Sequence, residues 1–227
     1  MVWAALQELL EGRSAVRVLD VGGGTGGFAV RVAALGHHVT VVDPSPDALA
    51  SLERRLADDH LEGTVAARQG DASDLVALLG RDAVDVVLCH RVLEVVDDPA
   101  AVLASAAAVL RPGGALSLLV AQKHALVLGQ AVAGHLEAAR QTWEDPRRFD
   151  FAALTRLVEA AGLAVLEADG IGAVADLVPE SAVESPAAWA DLLALETAVS
   201  RDPAFRALAP HVHVFARLPP EQVLSGF

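Results

Sequence analysis

Cysteine and lysine are nearly missing from this chain. Its 227 residues include one cysteine, Cys89, so no intrachain disulfide can form, and one lysine, Lys123. Cys89 lies in the apolar run "VDVVLCH", where a thiol serves as a small hydrophobe. Basic charge is scarce too: 17 Lys and Arg face 30 Asp and Glu, for a formal net charge of −13. Such a field keeps a chain soluble, repels phosphate backbones and favours a positively charged ligand. Only short basic patches are there to offset it. The start, "MVWAALQELLEG", has no basic signal-peptide region. The longest apolar stretch, Gly114 to Gly134, is interrupted by "QKH", which argues against a membrane span. No repeat or low-complexity linker divides the chain. These absences leave a cytoplasmic enzyme or binding protein.

What is present is material for a packed core. Hydrophobic residues make up 53% of the chain and the mean hydropathy is +0.42, which excludes extensive disorder. Strand and helix patterns alternate. "AVRVLDV", "HVTVVD", a weaker "TVAARQ", "VDVVLC" and "ALSLLVA" read as strands. Between them, Thr25 to Leu35, "SPDALASLERRLADD" and Pro99 to Leu110 read as helices, and "RPGG" as a turn. Ser45 is placed as an N-cap with Pro46 at the first helical position, and Asp97 and Asp98 precede a helix in the same way. Beyond the fifth strand, Ala125 to Ala139 and "FDFAALTRLVEAAG" read as helices and "LAVLEADG" as a sixth strand. Gly170 to Pro186 reads as a loop and Trp189 to Val199 as a helix, before the closing strand "HVHVFARL". The pattern predicts an α/β doubly wound, mostly parallel sheet of one domain, residues 1–227. Its variable, acceptor-side elements fall at about 122–150 and 171–207. Ligands of such sheets sit beyond the carboxyl ends of the strands, where the strand order reverses.

The chemistry concentrates at "VLDVGGGTGGFAVRVAALG". Gly22, Gly24 and Gly27 satisfy the dinucleotide pattern G-x-G-x-x-G, and Gly22, Gly24 and Gly26 a tighter G-x-G-x-G. Asp43, ending the second strand, could hold the ribose hydroxyls of NAD or of S-adenosylmethionine. Asp20 separates the two. A carboxylate just ahead of the glycines weakens a pyrophosphate site but suits the sulfonium and α-ammonium of S-adenosylmethionine. An NAD-dependent oxidoreductase and a non-catalytic domain that kept the fold stand as alternatives.

With the first strand, Asp43, "QGDASDL", "LCHRVLEVVDDPAAVLASAAAVLRPGGALSLLV" and "HVHVFARL", the chain resembles the class I S-adenosylmethionine-dependent methyltransferases over almost its whole length. That resemblance implies a Rossmann-like seven-stranded sheet with an antiparallel last strand. "LCHRVLEVVDDP", "VAG" at 132–134, "LVEAAG", "ALETAVSRDP" and "HVHVFAR" narrow it to the bacterial tRNA 5-carboxymethoxyuridine methyltransferase family, which methylates the carboxylate of a modified wobble uridine.

The resemblance assigns Asp20, Gly22, Gly23, Gly24 and Gly26 to the methionyl side of the cofactor and Asp43 to its ribose. Gly70, Asp71 and Ala72 flank the adenine, and His90 contacts the cofactor or shapes the acceptor mouth. Two family features are not matched: a segment of some tens of residues ahead of the first helix, and a lysine-rich stretch where this chain reads "HLEAARQTWEDPRRFDF". The acceptor, tRNA or a small molecule, is left open, as is the oligomeric state.

A carboxylate acceptor is ionised near neutral pH and needs no general base, whereas a hydroxyl or amine does. No residue declares itself as that base. His90 and His124 are the polar candidates near the site, and Lys123, Arg147 and Arg148 are candidates to clamp an anionic acceptor. His211 and His213 share a strand face but make a poor metal site by themselves, and His37 and His38 diverge, so no metal is predicted. Trp143 and Trp189 read as core or lid packing.

Overall fold

Arg17–Val21 (β1) is buried from Val18 onward and becomes the centre of a sheet, as a short apolar run flanked by helices on both faces must. The structure, a computed structural model, describes residues 1–61 and 64–220. Around β1 stand His38–Asp43 (β2), Val65–Gln69 (β3), Val84–His90 (β4), Leu110–Ala121 (β5), Ala164–Ile171 (β6) and His211–Arg217 (β7). They form one seven-stranded sheet in the order β3-β2-β1-β4-β5-β7-β6. Pairing is parallel from β3 to β5, and β7 runs antiparallel to both β5 and β6. The fold is the Rossmann-like α/β sheet with an antiparallel last strand. Strand order reverses beside β1, between β2 and β4, so the carboxyl ends of those strands frame the crevice.

Each sheet face has its own core. Val2–Leu10 (α1), Gly27–Ala33 (α2) and Pro46–Asp58 (α3) cover one, burying Leu6, Val32 and Leu52 against Val18 and Val86. Leu75–Leu79 (α4) and Pro99–Val109 (α5) cover the other, burying Leu75 and Leu103 against Leu19 and Val87. Lys123–Val132 (α6) and Leu136–Glu144 (α7) follow β5, and Phe151–Ala160 (α8) packs on the second face through Leu154. Between β6 and β7 come two single 3₁₀ turns, then Pro186–Val199 (α9) and Pro203–Leu208 (α10).

Several readings of the sequence need correcting. The helix expected over Ala125 to Ala139 is two helices, because Gly134 takes φ +81° and the amide of His135 turns back to the carbonyl of Gln130 at 2.8 Å. "RPGG" lies within β5 as an irregularity between paired Val84–Leu110 and Val86–Ala115. The Gly113 amide donates to the Leu218 carbonyl at 2.9 Å. The glycine-loop helix starts at Gly27 rather than Thr25, since Gly26 is left-handed at φ +80°.

Candidate functional site

The glycine turn joins β1 to α2 at the crevice. Gly22, Gly24 and Gly26 all have positive φ, a conformation that side chains disfavour. Close approach adds a second constraint: a Cβ on Gly23 would stand 2.7 Å from the Asp20 carboxyl carbon, and one on Gly26 2.4 Å from Leu52 Cδ1. The turn therefore lies directly over Asp20. Asp20 is 4% exposed, and no hydrogen bond from the described residues reaches its carboxyl group. Burial, with a smaller contribution from the charge of Asp43, raises its pKa to about 7.

Asp43, also buried, is held from both sides. One carboxylate oxygen accepts from the Gly24 amide at 2.9 Å and the other from the Ser45 amide at 2.8 Å. Asp71, exposed at the end of β3, accepts from the Ser73 amide at 2.8 Å and its hydroxyl at 2.7 Å, which lower its pKa. The Gly70 amide donates to the Asp43 carbonyl, tying β3 to β2 at the same edge.

A cavity of about 490 Å³ opens there, with Gly22, Asp43, Asp71, Ala72, Arg91 and Val92 in its wall. That volume falls within the ~300–1,000 Å³ usual for small-molecule sites. Val95, Asp97 and Asp98 also line the cavity. Asp98 caps α5 by accepting from the Ala101 amide, the role its place before Pro99 implied.

His90 ends β4. Its Nε2 hydrogen-bonds to Ser117 Oγ at 2.8 Å, and that hydroxyl to His213 Nε2 at 2.8 Å, linking three strands across one sheet face. Phe28 of α2 packs edge-on against the His90 ring at 4.7 Å between centroids. Burial lowers the pKa of His90 to about 3 and that of His213 to about 4. His90 Nδ1 is buried without a partner among the described residues. Cys89 beside it is fully buried, its thiol pushed up to about 12 by burial and by the charges of Glu94 and Asp20.

The predicted acceptor-side residues divide. Lys123 Nζ donates to the Trp143 carbonyl at 3.2 Å and lies over the Trp143 ring, with the His124 ring 6.0 Å from that indole. Arg147 and Arg148 both turn to Asp145, at 3.2 and 3.8 Å. Trp143 and Trp189 are half exposed and belong to no core, which removes the core half of the reading of core or lid packing. His37 is buried with Nδ1 accepting from the Val16 amide, while His38 points outward on β2.

Two residues escaped the sequence reading. Arg91, in the cavity wall, has φ +61°. Glu196, buried on α9, accepts from four consecutive amides, those of Gly172, Ala173, Val174 and Ala175, at 2.7 to 2.9 Å. These bonds lower its pKa against the opposing effect of burial. Among the described residues, no group of three or more His, Cys, Asp or Glu side chains could hold a metal.

A Rossmann-like sheet whose β1 brings a buried acid and a glycine turn to the crevice defines the S-adenosylmethionine-dependent methyltransferases. Residues 19–118 match the family model described as a methyltransferase domain. A solved structure, the S-adenosylmethionine dependent methyltransferase from Mesorhizobium loti, has the same fold, with a TM-score of 0.66 at 17% identity over 95% of this chain and 96% of that one. The tRNA 5-carboxymethoxyuridine methyltransferase of Escherichia coli (strain K12) is 32% identical over 96% of this chain and 87% of its own length. A ubiquinone biosynthesis O-methyltransferase of Aeromonas salmonicida (strain A449) is 30% identical over 68% of this chain and 66% of its own. The chain belongs to the family of the E. coli tRNA enzyme, and it is a methyltransferase whose cofactor is S-adenosylmethionine.

Proposed function

We propose that the chain transfers a methyl group to a carboxylate, that of a modified uridine at the tRNA wobble position. The observation that carries this reading is His90. At the end of β4 its Nε2 is engaged by Ser117 at 2.8 Å, and burial, with a smaller contribution from His213, lowers its pKa to about 3, which leaves it too weak a base to take a hydroxyl proton at neutral pH. An acceptor that arrives ionised needs no such base. The extent of similarity points the same way, since the tRNA enzyme is matched over 96% of the chain and the ubiquinone enzyme over 68%.

The residues present fit the cofactor. Asp20, buried and unpaired by the described residues, gains an opposite charge from the α-ammonium group. Gly22, Gly23, Gly24 and Gly26 give that end a backbone wall in which a Cβ at Gly23 would fill the cradle. Asp43, already fixed by two amides, keeps lone pairs for the ribose hydroxyls. Gly70 and Ala72 border the adenine, and Asp71 keeps one carboxylate oxygen for the exocyclic amine. When bound, the cofactor supplies an electrophilic methyl on a sulfonium. The chain's own residues orient the two reactants in line and keep water out, which is most of what such a displacement requires. His90, locked to Ser117, shapes the wall beside the methyl rather than moving a proton. Lys123, His124, Arg147 and Arg148 rim the acceptor side.

The test is transfer of labelled methyl from S-adenosylmethionine to an anticodon stem-loop carrying 5-carboxymethoxyuridine. Incorporation into a base-labile ester is the expected result. Protein that binds the cofactor yet leaves the stem-loop unlabelled, while labelling small hydroxylated aromatics, would establish the second reading, a small-molecule acceptor, which the net charge of −13 favours.

A further inference from the structure

We propose that Arg91 recognises the carboxylate of the methyl acceptor, a role that rests on the carboxyl-transfer reading above. Arg91 is the first residue beyond β4 and stands in the wall of the cofactor-sized cavity. Burial, and after it the charge of Arg91, lowers the pKa of His211, the first residue of β7. His211 pairs with Ala121 at the end of β5, and the Arg91 amide bonds to Leu119 of that same strand, so Arg91 stands at the carboxyl edge between β4 and β5.

Its backbone is held there against preference. At φ +61° a residue with a side chain is disfavoured, yet the Arg91 amide is pinned to the Leu119 carbonyl at 2.7 Å. An unfavourable conformation retained beside a ligand cavity points to a side chain kept for what it binds.

Charge narrows what that is. The cavity wall holds four carboxylates, Asp43, Asp71, Asp97 and Asp98, and Arg91 is the cation among them. Nearby, Glu94 accepts from the Ala121 amide with one oxygen and keeps the other buried without a partner among the described residues, a further obstacle to an anion. The remaining basic candidates are engaged: Arg147 makes two bonds to Asp145, Arg148 faces the same carboxylate, and Lys123 donates to a carbonyl. No ion pair among the described residues engages Arg91. An exposed guanidinium offers two parallel donors in the geometry of a carboxylate, so an acceptor carboxylate is the group that completes it.

The experiment uses the full chain and the 5-carboxymethoxyuridine stem-loop, with calorimetry for S-adenosylmethionine and labelled-methyl kinetics for the acceptor. Arg91→Gln should raise the acceptor KM by about tenfold or more while changing cofactor Kd by less than about twofold. Arg91→Lys should recover part of the loss. Arg91→Gly, which suits the left-handed backbone, should show the same KM defect yet unfold at no lower temperature than the wild type. An unchanged acceptor KM in Arg91→Gln, with wild-type protein active, overturns the assignment. So does a tenfold loss of cofactor affinity, on the order that would place Arg91 on the cofactor's own carboxylate. Wild-type protein that binds cofactor but methylates no stem-loop brings down the carboxyl reading, and this assignment with it.

Discussion

Asp20 is a carboxyl buried beneath a glycine turn with no hydrogen bond from the described residues, so its charge depends on what binds above it. Below its raised pKa of about 7 it holds a proton and lacks the charge that attracts a cationic ligand. Above that value it is ionised and attracts the ammonium of S-adenosylmethionine. Cofactor affinity should therefore climb as pH rises from about 6 to about 7.5, until the ligand's own amine begins to titrate. In the acid part of that window, binding should release protons, which calorimetry in buffers of different ionisation enthalpy measures directly. Asp20→Asn should weaken binding by about tenfold or more and flatten the acid limb. If the asparagine variant kept the same limb, another group would have to own it. His90 and His213 titrate well below this window and contribute nothing to it.

Helices and loops show how much of this was legible in advance. Ser45-Pro46 and Asp98-Pro99 announce α3 and α5, because a capping oxygen followed by proline is a purely local signal. The same signal occurs at Ser185-Pro186 and Asp202-Pro203, where it opens α9 three residues earlier than read and opens α10, which was not read at all. Those starts could have been found. "RPGG" could not, since its place in β5 depends on pairing with Leu218 from the far end of the chain. Glu196 was equally hidden: one glutamate in "ALETAVSRDP" looks like any helical acid until the segment after β6 folds four amides onto it. Asp20, Asp43 and the glycines were legible because the loop's spacing is local, whereas the positive φ of Arg91 has no such signature. The Glu196 staple carries a measurable consequence. Glu196→Gln places an amide donor against two backbone donors in a buried site, at about 2 kcal/mol or more. Thermal unfolding should fall by roughly 4–8 °C for a chain of this size. A melting curve within about one degree of wild type would show that the segment holds itself.

The whole molecule sets how the proposed nucleic-acid acceptor would have to approach. With a net charge of −13, the mean field opposes any polyanion, and attraction has to come from the few cations at the carboxyl edge of the sheet. Two of these, Arg147 and Arg148, already share Asp145, and Lys123 is bound to the Trp143 carbonyl, so few are free to displace counterions. Each neutralised phosphate contributes about 0.7 to 0.9 to the slope of log affinity against log salt. A stem-loop held through so small a rim should give a slope shallower than about −3. Most of its affinity would then come from the modified base and its carboxylate rather than from the backbone. Titrations between about 50 and 200 mM salt decide this, with an unmodified stem-loop as the comparison. The modified loop should keep its advantage at the upper salt limit. A steep slope shared equally by both loops would mean that phosphates dominate, and that a basic surface other than this rim binds the RNA.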